Sequence, residues 1–289
     1  MLLASERGEL DSVLQRWHAD RLSVALVPTM GNLHAGHLAL VQAARNAADR
    51  VVSSIYVNPT QFGQGEDFDH YPRTPEADHR ALEAEGCDLV FAPGHDTMYP
   101  GGLENTVRVL APPDLAGVLE GAIRPGHFDG VVTVVARLFN LVQPDVAVFG
   151  EKDYQQLLVI RRMTRDLGYG IRIVAVPTVR ENHGLAMSSR NEYLDPEQRT
   201  AAGRLSAVLF AAAERLAQGD TESSGAEWSA RDELEAGGFE VDYVAVRAAE
   251  DLAEAPASEQ PLRILAAVRI GGTRLIDNVP VNHVCNSKI

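Results

Sequence analysis

At 289 residues, with a formal net charge of −14 and with 45% hydrophobic and 23% charged side chains, the chain suits a globular protein of one broad α/β domain or two unequal ones. Its acidity disfavours long nucleic-acid partners, which need a basic face, but does not exclude a nucleotide, whose few phosphates need only a local cluster of donors. No apolar run approaches a membrane span, charge arrives too early for a secretory leader, and the two cysteines, Cys87 and Cys285, make no disulfide framework, so the expected location is the cytoplasm.

In chain order, residues 9–20 read as a helix and 22–28 as the first strand. The apolar run Val24, Ala25, Leu26, Val27 stops at Pro28, and a glycine follows at Gly31. His34-Ala35-Gly36-His37 then opens an amphipathic stretch with Leu38, Leu40 and Val41, giving strand, tight loop and helix. The first turn of such a helix directs unpaired N–H groups and the positive end of its dipole outward, which suits a phosphate. His34 and His37 share one face of that turn, where an imidazole N–H can follow charge onto a phosphate oxygen. Neither cysteine stands near them in sequence and there is no CxxC, so a zinc site through these histidines is not expected.

The helix runs to about residue 49, and 51–57 form a second strand, completing the βαβ pattern of a parallel sheet. Ligands of such sheets gather at the carboxyl ends of the strands. Residues 58–73 make a long polar and aromatic loop there, in which Gln61, with both donor and acceptor, suits a hydroxy acid. A helix over 75–85 and a strand over 87–91 follow. Residues 106–110 suggest a short strand, and 120–130, carrying Arg124 and His127, a polar loop feeding a helix over 131–142 that Asp129 caps.

Strand 146–149 stops at Gly150, with Glu151, Lys152 and Asp153 in the turn before the next helix. Among 26 basic residues only Lys152 and Lys288 are lysines, and a compact, movable ammonium at a strand's carboxyl end suits a phosphate that changes charge. Asp153 either caps the helix or meets a ribose hydroxyl. Gln155 and Gln156 are adjacent in the first turn, so only one of them faces a ligand. After a strand over 171–176, Pro177 marks a domain boundary. Ser188, Ser189 and Arg190 then offer hydroxyl and guanidinium donors beside Gly184, a composition able to close on a polyphosphate.

Beyond it the pattern changes to an Ala-rich helix over 195–218, another over 225–236, a strand over 239–246, and a hairpin of 262–270 with 273–278 around Gly271-Gly272. The expected architecture is α/β: a Rossmann-like parallel sheet with helices on both faces in residues 1–177, and a smaller α+β domain in 178–289.

Four segments, PTMGNLHAGH at 28–37, VNPTQFGQGEDFDHYPRT at 57–74, FGEKDYQQ at 149–156 and PTVRENHGLAMSSRN at 177–191, closely resemble the pantoate–β-alanine ligase family. That family is part of the HxGH nucleotidyltransferase-like superfamily. The resemblance implies an ATP-dependent condensation of pantoate with β-alanine through pantoyl adenylate, releasing AMP and pyrophosphate. It implies an ATP loop of Met30, Gly31, Asn32, Leu33, His34, Ala35, Gly36 and His37, with His37 as proton donor. It assigns Gly150, Glu151, Lys152, Asp153 and Val179 to the nucleotide, Met187, Ser188, Ser189 and Arg190 to the leaving pyrophosphate, and Gln61 and Gln156 to pantoate, with Gln61 bordering β-alanine. Members often carry two adjacent acids after YPRT, whereas here Ala77 precedes Asp78. Mg2+ then rests mainly on ATP oxygens and water, with Asp78 as a weak candidate ligand. A homodimer through the larger domain, a small domain closing over the active site, and no nucleic-acid or membrane partner complete what the resemblance and the composition imply.

Overall fold

The computed structural model describes residues 1–63, 65–254 and 260–282; Cys285 and Lys288 lie outside them. Nine strands are present among these residues: β1 (Leu2–Ala4), β2 (Val24–Thr29), β3 (Arg50–Ile55), β4 (Leu89–Phe91), β5 (Val146–Gly150), β6 (Arg172–Val176), β7 (Glu240–Ala248), β8 (Leu262–Ile270) and β9 (Thr273–Val281). The first six form one parallel sheet in the order β1-β4-β3-β2-β5-β6, and the last three an antiparallel sheet in chain order.

Contacts divide the chain into two compact units. The first is Met1–Glu151 with Gln156–Pro177; the second is Lys152–Gln155 with the described residues from Thr178 onward. In the first, β2 lies at the centre because its side chains are apolar on both faces: Val24, Ala25, Leu26 and Val27 are all fully buried. Strand order reverses beside it, with β3 hydrogen-bonded on one edge and β5 on the other. That reversal opens a crevice at the carboxyl ends of β2 and β5, the place where such sheets bind ligands. Cys87, at the start of the run into β4, is buried, and burial pushes its thiol up to about 11, so it serves as a small core residue.

The second unit packs helices Arg204–Gln218 and Ser223–Ala236 on the β7-β8-β9 sheet around Leu209, Ala212, Ala230, Ile264, Ala266 and Val279. The β8–β9 hairpin turns on Gly271 and Gly272, both at positive φ (56° and 82°), as a tight primed turn requires. Its outer strand β9 accommodates Pro280 because that edge needs no further N–H donor.

Several sequence expectations are corrected. The long helix 195–218 is two helices, Pro196–Ala202 and Arg204–Gln218, meeting at Gly203, where a Cβ would stand 2.3 Å from the His183 carbonyl oxygen. Residues 106–110 are not a strand; Thr133 brackets Val109 through both its N–H and its carbonyl (3.0 Å each), and Leu110 is solvent-exposed. Residues 120–130 are not all loop: Glu120–Ile123 form a helical turn, and the helix expected from 131 begins at His127 behind a left-handed Gly126. Asp129 therefore lies inside that helix rather than at its cap, and its carboxylate accepts the Ala111 N–H at 2.8 Å. The edge strand β1 had no sequence signal, since Leu2 and Leu3 are exposed and only Ala4 is buried.

Candidate functional site

β2 ends at Thr29, whose hydroxyl donates to the Ser54 carbonyl (2.7 Å) and accepts the Gly31 N–H (3.3 Å). The chain then turns through two left-handed residues, Gly31 (φ 83°) and Asn32 (φ 49°), before helix Ala35–Arg45. His34 is the N-cap of that helix. Its Nδ1 accepts the Gly36 N–H at 3.1 Å, and the His37 Nδ1 accepts the His34 N–H at 3.3 Å. A histidine thus occupies the place usually taken by Ser or Asp in a capping box.

This reciprocal cap settles the proton positions. A backbone N–H can only donate, so each Nδ1 presents a lone pair and the proton of the neutral ring sits on Nε2. The two rings stand 4.0 Å apart, tilted by 31°. Each imidazole is therefore held by one nitrogen and carries its donor on the other.

Gln61 sits in the 3-10 turn Pro59–Gln61, set by Asn58, a residue 1% exposed whose side chain accepts the Thr60 N–H. Asn58 Nδ2 donates to Gln61 Oε1 (3.1 Å) and to the Gly130 carbonyl (3.1 Å), while its Oδ1 accepts from the Tyr99 hydroxyl (2.8 Å). The Gln61 amide nitrogen meets the Met30 sulfur at 3.1 Å, which brings the loops after β2 and β3 together. Gly130 must lack a side chain, for a Cβ there would lie 2.2 Å from the Thr60 carbonyl oxygen.

Behind this turn lies a charged clamp. Arg124 grips Glu66 bidentately at 2.6 Å on each oxygen, and Glu66 is pulled down to about 2 by that pairing, which outweighs its burial. His127 donates from Nδ1 to the Gln61 carbonyl (2.7 Å) and accepts from Arg124 at Nε2 (3.2 Å). Desolvation first, then the Arg124 charge, lower it to about 4, which keeps the ring neutral and in this tautomer. Beside the turn, Thr60, Phe62, Tyr99, Arg124, His127 and Thr133 are among the residues that line a cavity of about 330 Å³.

The expected metal candidate, Asp78, is 2% exposed and accepts hydrogen bonds from Asn32, Leu33 and Thr74. Gln156 is half-buried on its helix and Gln155 is 3% exposed, so Gln156 is the one of the pair with accessible surface.

Gly150 ends β5, and Glu151, Lys152 and Asp153 form a 3-10 turn. In the second unit, Lys152 Nζ lies 3.3 Å from the Asp153 carboxylate and its carbonyl accepts from the Asn278 amide at 2.8 Å. Val179 accepts the Met187 N–H (2.9 Å), Arg180 bridges to Ala186, and Ser188 caps the turn Ser189–Tyr193 by accepting the Arg190 N–H. Two carboxylates hold this hairpin in shape: Asp277 pairs with Arg180 at 2.6 and 3.0 Å, and Glu181 binds Arg199 and Asn191. The segment around Gly184 is thus a cross-braced hairpin.

His34, His37, Met30, Gln61 and Asp78 are brought together at the carboxyl ends of β2 and β3, while Lys152, Asp153, Val179 and Met187–Arg190 belong to the second unit. Sequence reading gave no role to Asn58, Glu66, Arg124, His127 or Gly130. The Asn58-Pro59 pair was a usable signal, since Asn before Pro at a turn start is an N-cap with proline at the first helical position.

Comparison with known proteins agrees with this architecture. The sequence profile of the pantoate-beta-alanine ligase family matches residues 3–280. The chain is 54% identical to a pantothenate synthetase of Xylella fastidiosa over 95% of this chain and 98% of that one. It superposes on the crystal structure of a pantothenate synthetase from Thermus thermophilus with a TM-score of 0.91 at 49% identity, covering 97% of this chain and 99% of the other. A Francisella tularensis pantoate-beta-alanine ligase, solved with β-γ ATP and β-alanine, matches with a TM-score of 0.82 at 31% identity, covering 97% and 98%. With the match running through nearly the whole chain, this protein belongs to the pantoate-beta-alanine ligase family.

Proposed function

We propose that this chain condenses (R)-pantoate with β-alanine at the expense of ATP, giving pantothenate, AMP and pyrophosphate. The observation that carries this reading is the turn after β2, in which both imidazoles are fixed with Nε2 as the ring donor, within a chain matched to the ligase family over residues 3–280. In the first step a pantoate carboxylate oxygen bonds to the α-phosphorus as the bond to the bridging oxygen breaks, and pyrophosphate leaves with those electrons. In the second the uncharged amine of β-alanine bonds to the acyl carbon, AMP leaves, and the nitrogen loses a proton. Such steps depend on positioning and on stabilising charge in flight.

In this reading Met30–His37 bind the nucleotide, and His34 and His37 donate from Nε2 to the phosphates, with His37 as proton donor. Gly150–Asp153 and Val179 hold the nucleoside, Lys152 follows the phosphate charge, and Met187–Arg190 hold pyrophosphate. Gln61 and Gln156 meet the pantoate hydroxyls with neutral amides, which leave its carboxylate nucleophilic. Mg2+ enters with ATP on phosphate oxygens and water. Residues 1–177 act as the catalytic domain and 178–289 as the smaller domain that closes over it. The protomers pair through the larger domain, where Val107 and Leu110, 88% and 71% exposed, offer apolar surface.

The test is pyrophosphate release from MgATP and pantoate alone, followed by addition of β-alanine. The expected result is a stoichiometric burst that becomes steady AMP-forming turnover only when the amine arrives. Release of no pyrophosphate under either condition overturns the reading.

A further inference from the structure

The surroundings of Asp78 do not fit a metal ligand. Its side chain is 2% exposed. Oδ1 accepts the Leu33 N–H at 2.8 Å and the Thr74 hydroxyl at 3.1 Å, and Oδ2 accepts the Asn32 N–H at 3.0 Å. A carboxylate with donors on both oxygens has little left for Mg2+, which asks for a near-octahedral set of accessible oxygens. Among the described residues, no group of three or more His, Cys, Asp or Glu side chains is placed to hold a metal ion.

The donors themselves show what the carboxylate does. Asn32 and Leu33 immediately precede His34, and Asn32 holds a left-handed conformation (φ 49°), which asparagine tolerates better than other residues with a side chain but still at some cost. Such a turn persists only where its surroundings over-determine it. Asp78 supplies that restraint with two charge-assisted hydrogen bonds to consecutive backbone N–H groups. It also packs against the bare Cα of Gly31, where a Cβ would lie 3.0 Å from Oδ2 and 3.2 Å from the Ile55 side chain. Asp78 is in turn fixed by the first turn of helix Pro75–Ala84, where its N–H donates to the Thr74 carbonyl at 2.9 Å. The positive end of that helix favours the anionic side chain.

We propose that Asp78 is a positioning residue for the nucleotide turn: through Asn32 and Leu33 it sets the direction in which His34 and His37 meet the phosphates, and it does not ligate Mg2+. The proposal rests on the reading of Met30–His37 as the ATP loop. Asp78 acts from behind the turn, on the backbone, and stiffens it before ATP arrives.

The experiment is calorimetric titration of ATP into wild-type protein and Asp78→Asn, each in MgCl2 and in excess EDTA, together with steady-state kinetics. An asparagine keeps the shape but turns an NH2 toward one of the backbone N–H donors. The expected result is a loss of ATP affinity of roughly 10- to 100-fold, the scale of charge-assisted hydrogen bonds, by the same factor in both buffers. KM for ATP rises, while KM for pantoate and the half-saturating Mg2+ concentration stay at wild-type values. A loss confined to the Mg2+ buffer makes Asp78 a metal ligand and overturns the proposal, as does unchanged affinity in both. Thr74→Val, which removes one hydroxyl donor and keeps the charge, is the milder variant should Asp78→Asn fail to fold, and a smaller loss equal in both buffers is expected of it. Wild-type protein that takes up ATP in neither buffer overturns the reading of the turn, and the proposal with it.

Discussion

The two imidazoles of the HxGH turn do two jobs with two nitrogens. Nδ1 of each accepts a backbone N–H and so caps the helix, and the proton of the neutral ring is thereby fixed on Nε2. His37→Ala removes both, so adenylate formation should fall about 10²- to 10³-fold, as for loss of one preorganised donor. Stability should fall by only about 1 kcal/mol for the lost cap. Single-turnover pyrophosphate release and a thermal melt separate the two effects. Lys152→Ala should show the kinetic loss alone, because its Nζ is 3.3 Å from a carboxylate that remains half-exposed and solvated. Gln156→Ala should chiefly raise KM for pantoate, and an unchanged pantoate response in a substrate titration would move that residue out of the site. At this scale sequence reading singled out the histidines, the lysine and the glutamines as candidates, and the structure places His34, His37 and Gln61 in the first unit and Lys152 in the second. It could not distinguish the carboxylate of Asp78 as a metal ligand from the same carboxylate as a brace, because that depends on donors 45 and 46 residues away.

Among elements, the Pro59–Gln61 turn is the clearest case of local geometry imposed from a distance. It is held on one side by the helix His127–Val142 and on the other by the Arg124–Glu66 pair, 58 residues apart in sequence. No local pattern announces such a pairing, and the sequence reading gave residues 58–73 only as a long loop. Gly130→Ala places a Cβ 2.2 Å from the Thr60 carbonyl oxygen, so the turn must move. Pantoate KM should rise, with ATP affinity near wild type, as a substrate titration would show.

The clamp also carries a pH dependence. The His127 pKa is lowered from 6.5 to about 4 on folding, so the folded state binds fewer protons than the unfolded state between these values. Its contribution is complete above pH 6.5 and declines as pH falls toward 4. Glu66, lowered from 4.5 to about 2, contributes fully above 4.5 and loses that contribution as pH falls toward 2. Urea midpoints measured from pH 7 to 4 should therefore fall steadily in the wild type and more shallowly in His127→Gln. Equal slopes would remove His127 from the acid response. The βαβ elements were legible because β2, β3 and β5 are apolar runs bounded by loop residues, whereas the short edge strand β1 and residues 106–110 present the wrong exposure for their sequence: Leu3 and Val107 are 55% and 88% exposed.

For the molecule as a whole, the change from parallel to antiparallel strands was readable in the order of the elements, since strands alternating with helices gave way to a hairpin. The second unit also holds a buried ion pair that composition could not reveal. The Asp277 side chain is 1% exposed and Arg180 is its bidentate partner. Arg180→Ala leaves that carboxylate buried without its cation and should cost about 3–5 kcal/mol, the scale for breaking one side of a buried pair. A lowered melting transition reports it, and a transition unchanged from wild type would show that water replaces the guanidinium. Among the described residues, no helix is long and apolar enough to cross a membrane.

The excursion of Lys152–Gln155 into the second unit limits how modular this protein is. Asn278 holds the Lys152 carbonyl, the Ala249 carbonyl accepts the Tyr154 hydroxyl at 2.8 Å, and the Arg263 guanidinium stacks 3.7 Å from the Tyr154 ring centre. A cut after Pro177 would therefore not release a self-sufficient unit. It would leave the lysine-bearing turn without the three groups that shape it, all of them supplied by residues about 95 or more positions further along the chain. Transplanting the small domain from a relative would likewise transplant the mould in which Lys152 is cast. Chimaeras that exchange residues beyond 177 should keep the lysine's setting only if Asn278, Arg263 and the backbone at 249 travel with an identical segment 152–155.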